Sequence, residues 1–186
     1  QLLQTQRGSN QRNGFMRWRL SHRFCKEALP LADRHYNRQK IGSPQFVPPG
    51  RCVVLLAGTP AQALWVTSWQ EYALHEWKGA WVNSCFRNEG AGLSSELILE
   101  AIAATRAVWP DVPELGMITF IDTKKVRKKR DFGRCYRKAG FQEVGKTKKA
   151  GLLALQLLPD QMPEPQAPIG MQRNLFTGGQ TQWSTK

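Results

Sequence analysis

One stretch narrows the possible folds of this chain more than any other: Arg87-Asn88-Glu89-Gly90-Ala91-Gly92. Before it stands AWVNSCF (Ala80 to Phe86), an apolar, β-prone run, and after it LSSELILEAIAATRAVW (Leu93 to Trp109). In the second run Leu93, Leu97, Ile98, Ala101, Ile102 and Val108 recur at close to helical spacing, and Pro110 stops it. A strand must therefore turn through glycine straight into a core-packed helix, which puts the chain in the α/β class. Glycine lets a ligand approach the main chain, and the helix start offers free N–H donors at a positive dipole end. That geometry suits a pyrophosphate. An ordinary strand-to-helix connection has the same outline, so the turn alone leaves both readings open.

The flanking sequence supplies the other elements. Residues 1–13 read as a flexible basic arm without a secretory signal, 14–158 as one domain, and 159–186 as an extended or disordered tail rich in Pro, Gln and Gly. GFMRWRLSHRF (Gly14 to Phe24) predicts an amphipathic strand. CKEALPLADRHYNRQ (Cys25 to Gln39) predicts one helix or two short ones, broken or restarted at Pro30. CVVLLAG (Cys52 to Gly58) and ALWVTSWQEYA (Ala63 to Ala73) form a predicted hairpin, and GMITFID (Gly116 to Asp122) a buried strand. RCYRKAGF reads as a short helix capped by a left-handed Gly140, and EVGKTKKAG with LLALQLL as a closing hairpin. The predicted order is β, α, β, β, β, α, β, α, β, β.

Charge bears on partners. Lys plus Arg number 27 against 14 acidic residues, a net +13, which favours a polyanion, nucleic acid first and anionic membrane second. The positive residues cluster in KKVRKKR (Lys124 to Arg130) and in Arg7, Arg12, Arg17, Arg19 and Arg23. No apolar run approaches the roughly 20 residues that span a bilayer, so no membrane segment is expected and the protein is placed in the cytoplasm. Cys25, Cys52, Cys85 and Cys135 lack zinc-finger or disulfide-framework spacing and read as reduced thiols. Among the tryptophans Trp65, Trp69 and Trp81 read as core, whereas Trp77 lies in a loop.

The R-x-x-G-x-G spacing of Arg87 to Gly92 resembles the phosphate motif of the GCN5-related N-acetyltransferase (GNAT) superfamily, and Tyr136-Arg137-Lys138-Ala139-Gly140-Phe141 is similar to its Y-x-x-x-G-F signature. The resemblance, which extends to the element order from Gly14 to Leu158, implies a mixed, mostly antiparallel central sheet flanked by helices. It also implies acetyl-CoA or a related acyl-CoA as donor, held by Arg87, Asn88, Glu89, Gly90, Ala91 and Gly92, with Tyr136 protonating the departing thiolate. A narrower resemblance, carried by His35-Tyr36, CFRNEG (Cys85 to Gly90) and TFIDTKKVRKK, is to the Mom family of phage DNA-modification proteins. It implies a phage- or prophage-encoded enzyme that converts DNA adenine to N6-(methylcarbamoyl)adenine and so evades restriction. His35, Tyr36, Arg87 and Asp122 are then its site residues. Iron has been linked to that family.

The chemistry of these residue types fits. Adenine N6 is a poor nucleophile that needs a base, for which His35 has the right ordinary pKa. Tyr36 suits stacking on an extruded base, and Asp122 suits orienting His35, contacting N6 or joining a metal site. Lys124, Lys125, Arg127, Lys128, Lys129 and Arg130 then contact DNA phosphates. His35, Tyr36 and Asp122 have ligand atoms suited to iron, but no HxxxH or His-x-Asp spacing supports a metal site, and its ligands stay open. Two alternatives stand beside this reading: an ordinary GNAT N-acetyltransferase for a protein or small-molecule amine, and a non-catalytic DNA-binding protein of the same fold. Oligomeric state and sequence context are left open.

Overall fold

The strand Arg51–Ala57 reads RCVVLLA, and its last five residues are buried consecutively rather than alternately. A strand of that kind must be covered on both faces. The computed structural model, which describes residues 15–69, 75–126 and 131–171, provides both covers. Its strands are β1 (Trp18–Ser21), β2 (Arg51–Ala57), β3 (Ala63–Trp69), β4 (Trp81–Asn88), β5 (Met117–Ile121), β6 (Gln142–Lys146) and β7 (Leu153–Leu157). Its helices are α1 (Leu29–Asp33), α2 (Ser94–Val108) and α3 (Arg134–Lys138). Val53, Leu55 and Ala57 pack in one cluster with Leu97, Ile98, Ala101 and Ile102 of α2. Val54 and Leu56 pack in another, with Leu31 and Ala32 of α1.

The fold is mixed α/β, and its elements follow the predicted order. The seven strands form one open sheet in the order β1-β2-β3-β4-β5-β7-β6, and every neighbouring pair is antiparallel except β4 and β5. The predicted Cys25–Gln39 helix shrinks to the five residues of α1, with Pro30 in its first turn, where a missing N–H costs nothing. Of the tryptophans expected in the core, Trp65 and Trp81 are fully buried but Trp69, at the end of β3, is only half-buried. Trp18 is fully buried too, and its indole donates to Leu97 O at 2.8 Å.

Residues 159–171, the start of the segment that composition reads as a tail, open with a single 3-10 turn at Pro159–Gln161 and then run along the domain. Met162 is buried, Gln166 donates to Ala103 O at 3.0 Å, and Ile169 exchanges main-chain bonds with β1 at 2.9 Å each. The predicted arm 1–13 and the remainder of the tail lie outside the described residues.

The parallel pair is short. Trp81, Val82 and Asn83 pair with Met117, Ile118 and Thr119; beyond that point β4 bonds only to β3 and β5 only to β7. The strands part where β4 also bulges, since Val66 faces Cys85 while Thr67 faces Asn83. Asn83 spans both irregularities. Its buried amide donates to Val66 O at 3.0 Å and to Cys85 O at 3.1 Å, and its Oδ1 accepts the Tyr136 hydroxyl at 2.6 Å.

Replacing Asn83 by Leu removes its hydrogen bonds to the phenol and to two strand carbonyls in the interior, and is expected to cost about 3 kcal/mol. Tyr136→Phe, which removes one bond, is expected to cost about 1 kcal/mol. Urea unfolding of both variants checks this, and equal midpoints would remove Asn83 from its central place.

Candidate active site

Tyr136 reaches the parting of β4 and β5 because of how α3 ends. Gly140 has φ of +97°, its N–H donates to Arg137 O, and the Phe141 N–H donates to Tyr136 O, both at 3.0 Å. This is a Schellman cap, and the Tyr136 and Phe141 rings meet edge to face at 5.3 Å as its apolar contact. The Y-x-x-x-G-F pattern thus has a structural cause in this chain. The cap and the Asn83 bond together fix the phenol, and burial raises the Tyr136 pKa well above its ordinary value.

On the other side of the gap stand His35 and Tyr36, in the turns that follow α1. Their rings lie 4.6 Å apart. Burial raises the Tyr36 pKa, the Asp122 main chain opposes this by hydrogen bonding, and the Asp122 and Cys85 charges add to it. Tyr136 in turn feels both Tyr36 and Cys85. Tyr36, Asp122, Cys85 and Tyr136, drawn from four separate segments, therefore share one neighbourhood. Asp122 Oδ1 accepts the Lys124 N–H at 3.0 Å, and Lys125 Nζ lies 3.8 Å from Oδ2.

His35 differs from its expected character. Burial, helped by the positive charge of Arg87, lowers its pKa from 6.5 to about 4. Its Nδ1 accepts the Asn37 N–H at 3.3 Å, so the neutral ring carries its proton on Nε2. At neutral pH His35 is a hydrogen-bond donor and a weak base. With Asn37, Phe46 and Cys85 it lines a cavity of about 300 Å³. Burial pushes the Cys85 thiol up to about 12, which keeps it protonated and unreactive.

The loop after β4 is organised from within. Asn88 Oδ1 accepts the N–H groups of Gly90 at 3.1 Å and Ala91 at 3.0 Å, while its Nδ2 donates to Gly92 O and Ser94 Oγ. Two expected cradle donors are thereby taken by a side chain expected to bind cofactor. The N–H groups of Gly92, Leu93, Ser94 and Ser95 have no acceptor among the described residues. Gly90 is needed for its φ of +109° and meets nothing nearby, whereas a β-carbon at Gly92 would collide with the Arg17 guanidinium. Glu89 is gripped by Arg34 at 2.7 Å through both oxygens and by Arg87 at 2.9 Å, which holds its carboxyl down at about 2. It acts as an internal counterion, not as a phosphate ligand.

The arginines of the expected basic stripe are likewise engaged. Arg17 binds Glu100 at 2.6 Å and Glu96 at 3.2 Å, Arg19 binds Glu27 at 2.6 Å, and Arg23 bonds Gly50 O. Arg7 and Arg12 lie outside the described residues, as do Arg127, Lys128, Lys129 and Arg130. Lys124 and Lys125 are exposed on the turn after β5. Asn83 and Arg34 escaped sequence reasoning because they belong to no motif, and Asn88 was read as a cradle residue rather than as the organiser of the loop.

Among the described residues no three His, Cys, Asp or Glu side chains gather as a metal site, and no helix is long and apolar enough to cross a membrane. No protein-family model matches the chain, and no curated protein or solved structure matches it either.

The depressed His35 pKa contributes stability above pH 6.5 that is lost as pH falls toward 4, because the unfolded chain binds that proton first. Wild type is expected to lose about 2 kcal/mol between pH 7.5 and pH 5 from this group. His35→Gln should lose correspondingly less over the same interval in urea titrations; an unchanged pH dependence would show His35 to titrate normally.

Proposed function

We propose that this protein is an acyl-CoA-dependent transferase of GNAT fold that modifies adenine in DNA. Its resemblance to the Mom family implies N6-(methylcarbamoyl)adenine as the product, whose extra nitrogen an acetyl group does not carry and a nitrogen-bearing donor must supply. One observation carries the reading. Residues singled out by two separate resemblances, Tyr136 by one and Tyr36 with Asp122 by the other, converge on the gap between β4 and β5. Tyr36 and Tyr136 lie 100 positions apart in the sequence, and Asp122 follows β5 just past the last β4–β5 pair. The element order and the single parallel strand pair beside the glycine turn support the fold assignment.

The donor fits the loop in part. The open N–H groups at the start of α2 and the Arg87 guanidinium would hold the phosphates of a CoA thioester, which supplies the activated acyl group. Asn88 keeps the loop in shape for that contact. On the acceptor side, a neutral His35 offers Nε2–H to the base, and Tyr36 offers a ring face. Asp122, next to Tyr36, is the carboxylate suited to taking the proton from N6. Tyr136 keeps its proton on Asn83, and delivering it to a departing thiolate requires that bond to exchange.

A non-catalytic reading draws on the same facts, since a filled loop and a weak His35 base are what a retired enzyme would show. Nucleoside mass spectrometry of DNA from expressing cells decides between them. A modified deoxyadenosine is expected, absent from cells carrying His35→Ala or Asp122→Asn. Unmodified DNA with soluble protein, together with no calorimetric acetyl-CoA binding, would select the non-catalytic reading.

A further inference from the structure

A second concavity, about 990 Å³ in volume, lies away from the glycine loop. Its walls come from the start of β2, the end of β3, the loop before β4 and the tip of the β6–β7 hairpin. Trp69, His75 and Phe120 line it, with the Arg51 guanidinium over the Trp69 ring at 4.6 Å, and Arg51, Lys78, Lys148 and Lys149 stand around it. The four cations are exposed and form no ion pair among the described residues. Glu76 is the one acid in the lining, and it accepts the Lys148 main-chain N–H at 3.2 Å. The Phe120 ring is held by His75 at 5.0 Å and Trp77 at 5.7 Å, so it is a fixed surface. Burial lowers the His75 pKa, so this ring adds surface rather than charge near neutrality.

We infer that this groove binds single-stranded nucleic acid, with bases against Phe120 and phosphates on Lys78, Lys148, Lys149 and Arg51. Aromatic faces inside a cationic channel are the physical requirements of such a site, because every base has a face to stack and every phosphate a charge to neutralise. A base within a duplex has both faces covered and cannot use Phe120. An acidic peptide matches the charge but leaves the rings unused. Pro49 lines both this groove and the cavity beside His35, so the two adjoin. The inference rests on the proposed function only in taking DNA as the strand.

The test is fluorescence anisotropy of the full chain with a single-stranded oligodeoxynucleotide of about twelve nucleotides, and with the duplex of the same sequence. Wild type is expected to prefer the single strand. Phe120→Leu keeps an apolar side chain and should weaken that binding roughly tenfold, with the salt dependence unchanged. Lys148→Gln with Lys149→Gln should weaken it and lower the slope of log K against log salt by about 1.4. Lys124→Gln with Lys125→Gln is the comparison on the other basic segment.

Wild-type affinity in both groove variants would overturn the inference, as would equal binding of duplex or full competition by a glutamate-rich peptide. The nucleoside assay keeps the two proposals apart. Modified DNA with unaffected groove variants sinks the groove alone, whereas groove-dependent binding without modification sinks the enzyme alone.

Discussion

The buried amide of Asn83 is the interaction on which the site depends. A sheet that parts between neighbouring strands exposes main-chain groups that would otherwise be paired, and interior groups left unpaired cost roughly 1–3 kcal/mol each. Asn83 answers this with one side chain. Its two amide hydrogens go to the carbonyls of Val66 and Cys85 at the bulge, and its oxygen goes to Tyr136 in the gap. Thr119, its β5 neighbour, donates to the Asn83 carbonyl at 3.3 Å and so closes the last paired rung. Neither aspartate nor leucine, of nearly the same volume, could satisfy both sides, since one lacks the donors and the other lacks every polar atom.

The loop that follows β4 obeys a second constraint, which is charge. Arg17, Arg34 and Arg87 surround it, and each is matched by an acid close by: Glu96 with Glu100, and Glu89. The loop is thereby built without a ligand, and its arginines are positioned in advance. An incoming phosphate would compete with carboxylates already in place, so its net gain is smaller than the number of arginines implies. Exposed cations without an ion pair among the described residues include Lys78 in the loop before β4, Lys124 on the turn after β5, and Lys148 and Lys149 at the β6–β7 hairpin tip. Net charge therefore says little until the arginines held by the fold are set apart from those left to a partner.

How much of this was legible in the sequence depends on range. Element order came through because each strand and helix is written locally, in burial periodicity, in Pro30 and Pro110, and in the glycines. The Y-x-x-x-G-F pattern was legible for the same reason, being a helix end and its cap. The proximity of Tyr36 to Asp122 and Tyr136 was reached through resemblance; nothing in the spacing of those residues carries it. Asn83 could not be singled out, since a polar residue in a strand reads as a solvent-facing position until the bulge turns it inward. Gly92 was assigned to ligand approach, whereas Arg17, some 75 positions earlier, is what occupies the space beside it. The docking of residues 159–171 was hidden by a composition that is equally good for an extended strand pressed against a domain.

The two faces of a continuous sheet are insulated from each other by a layer of side chains and main chain. Here Tyr136 belongs to the cluster beneath α2 and α3, while Cys85 belongs to the cluster beneath α1, yet Cys85 contributes to the electrostatic surroundings of Tyr136. Parting β4 from β5 removes the strand-to-strand bonds that would close this passage. A donor anchored at the start of α2 and an acceptor entering beside His35 would thus approach from different faces and meet within the gap. Group transfer gains from such an arrangement, because the reacting atoms are brought together while the bulky remainders of both molecules stay on opposite sides. The short parallel rung of Trp81 to Asn83 then has a clear physical role. It is long enough to hold the two halves of the sheet in register, and short enough to leave the opening.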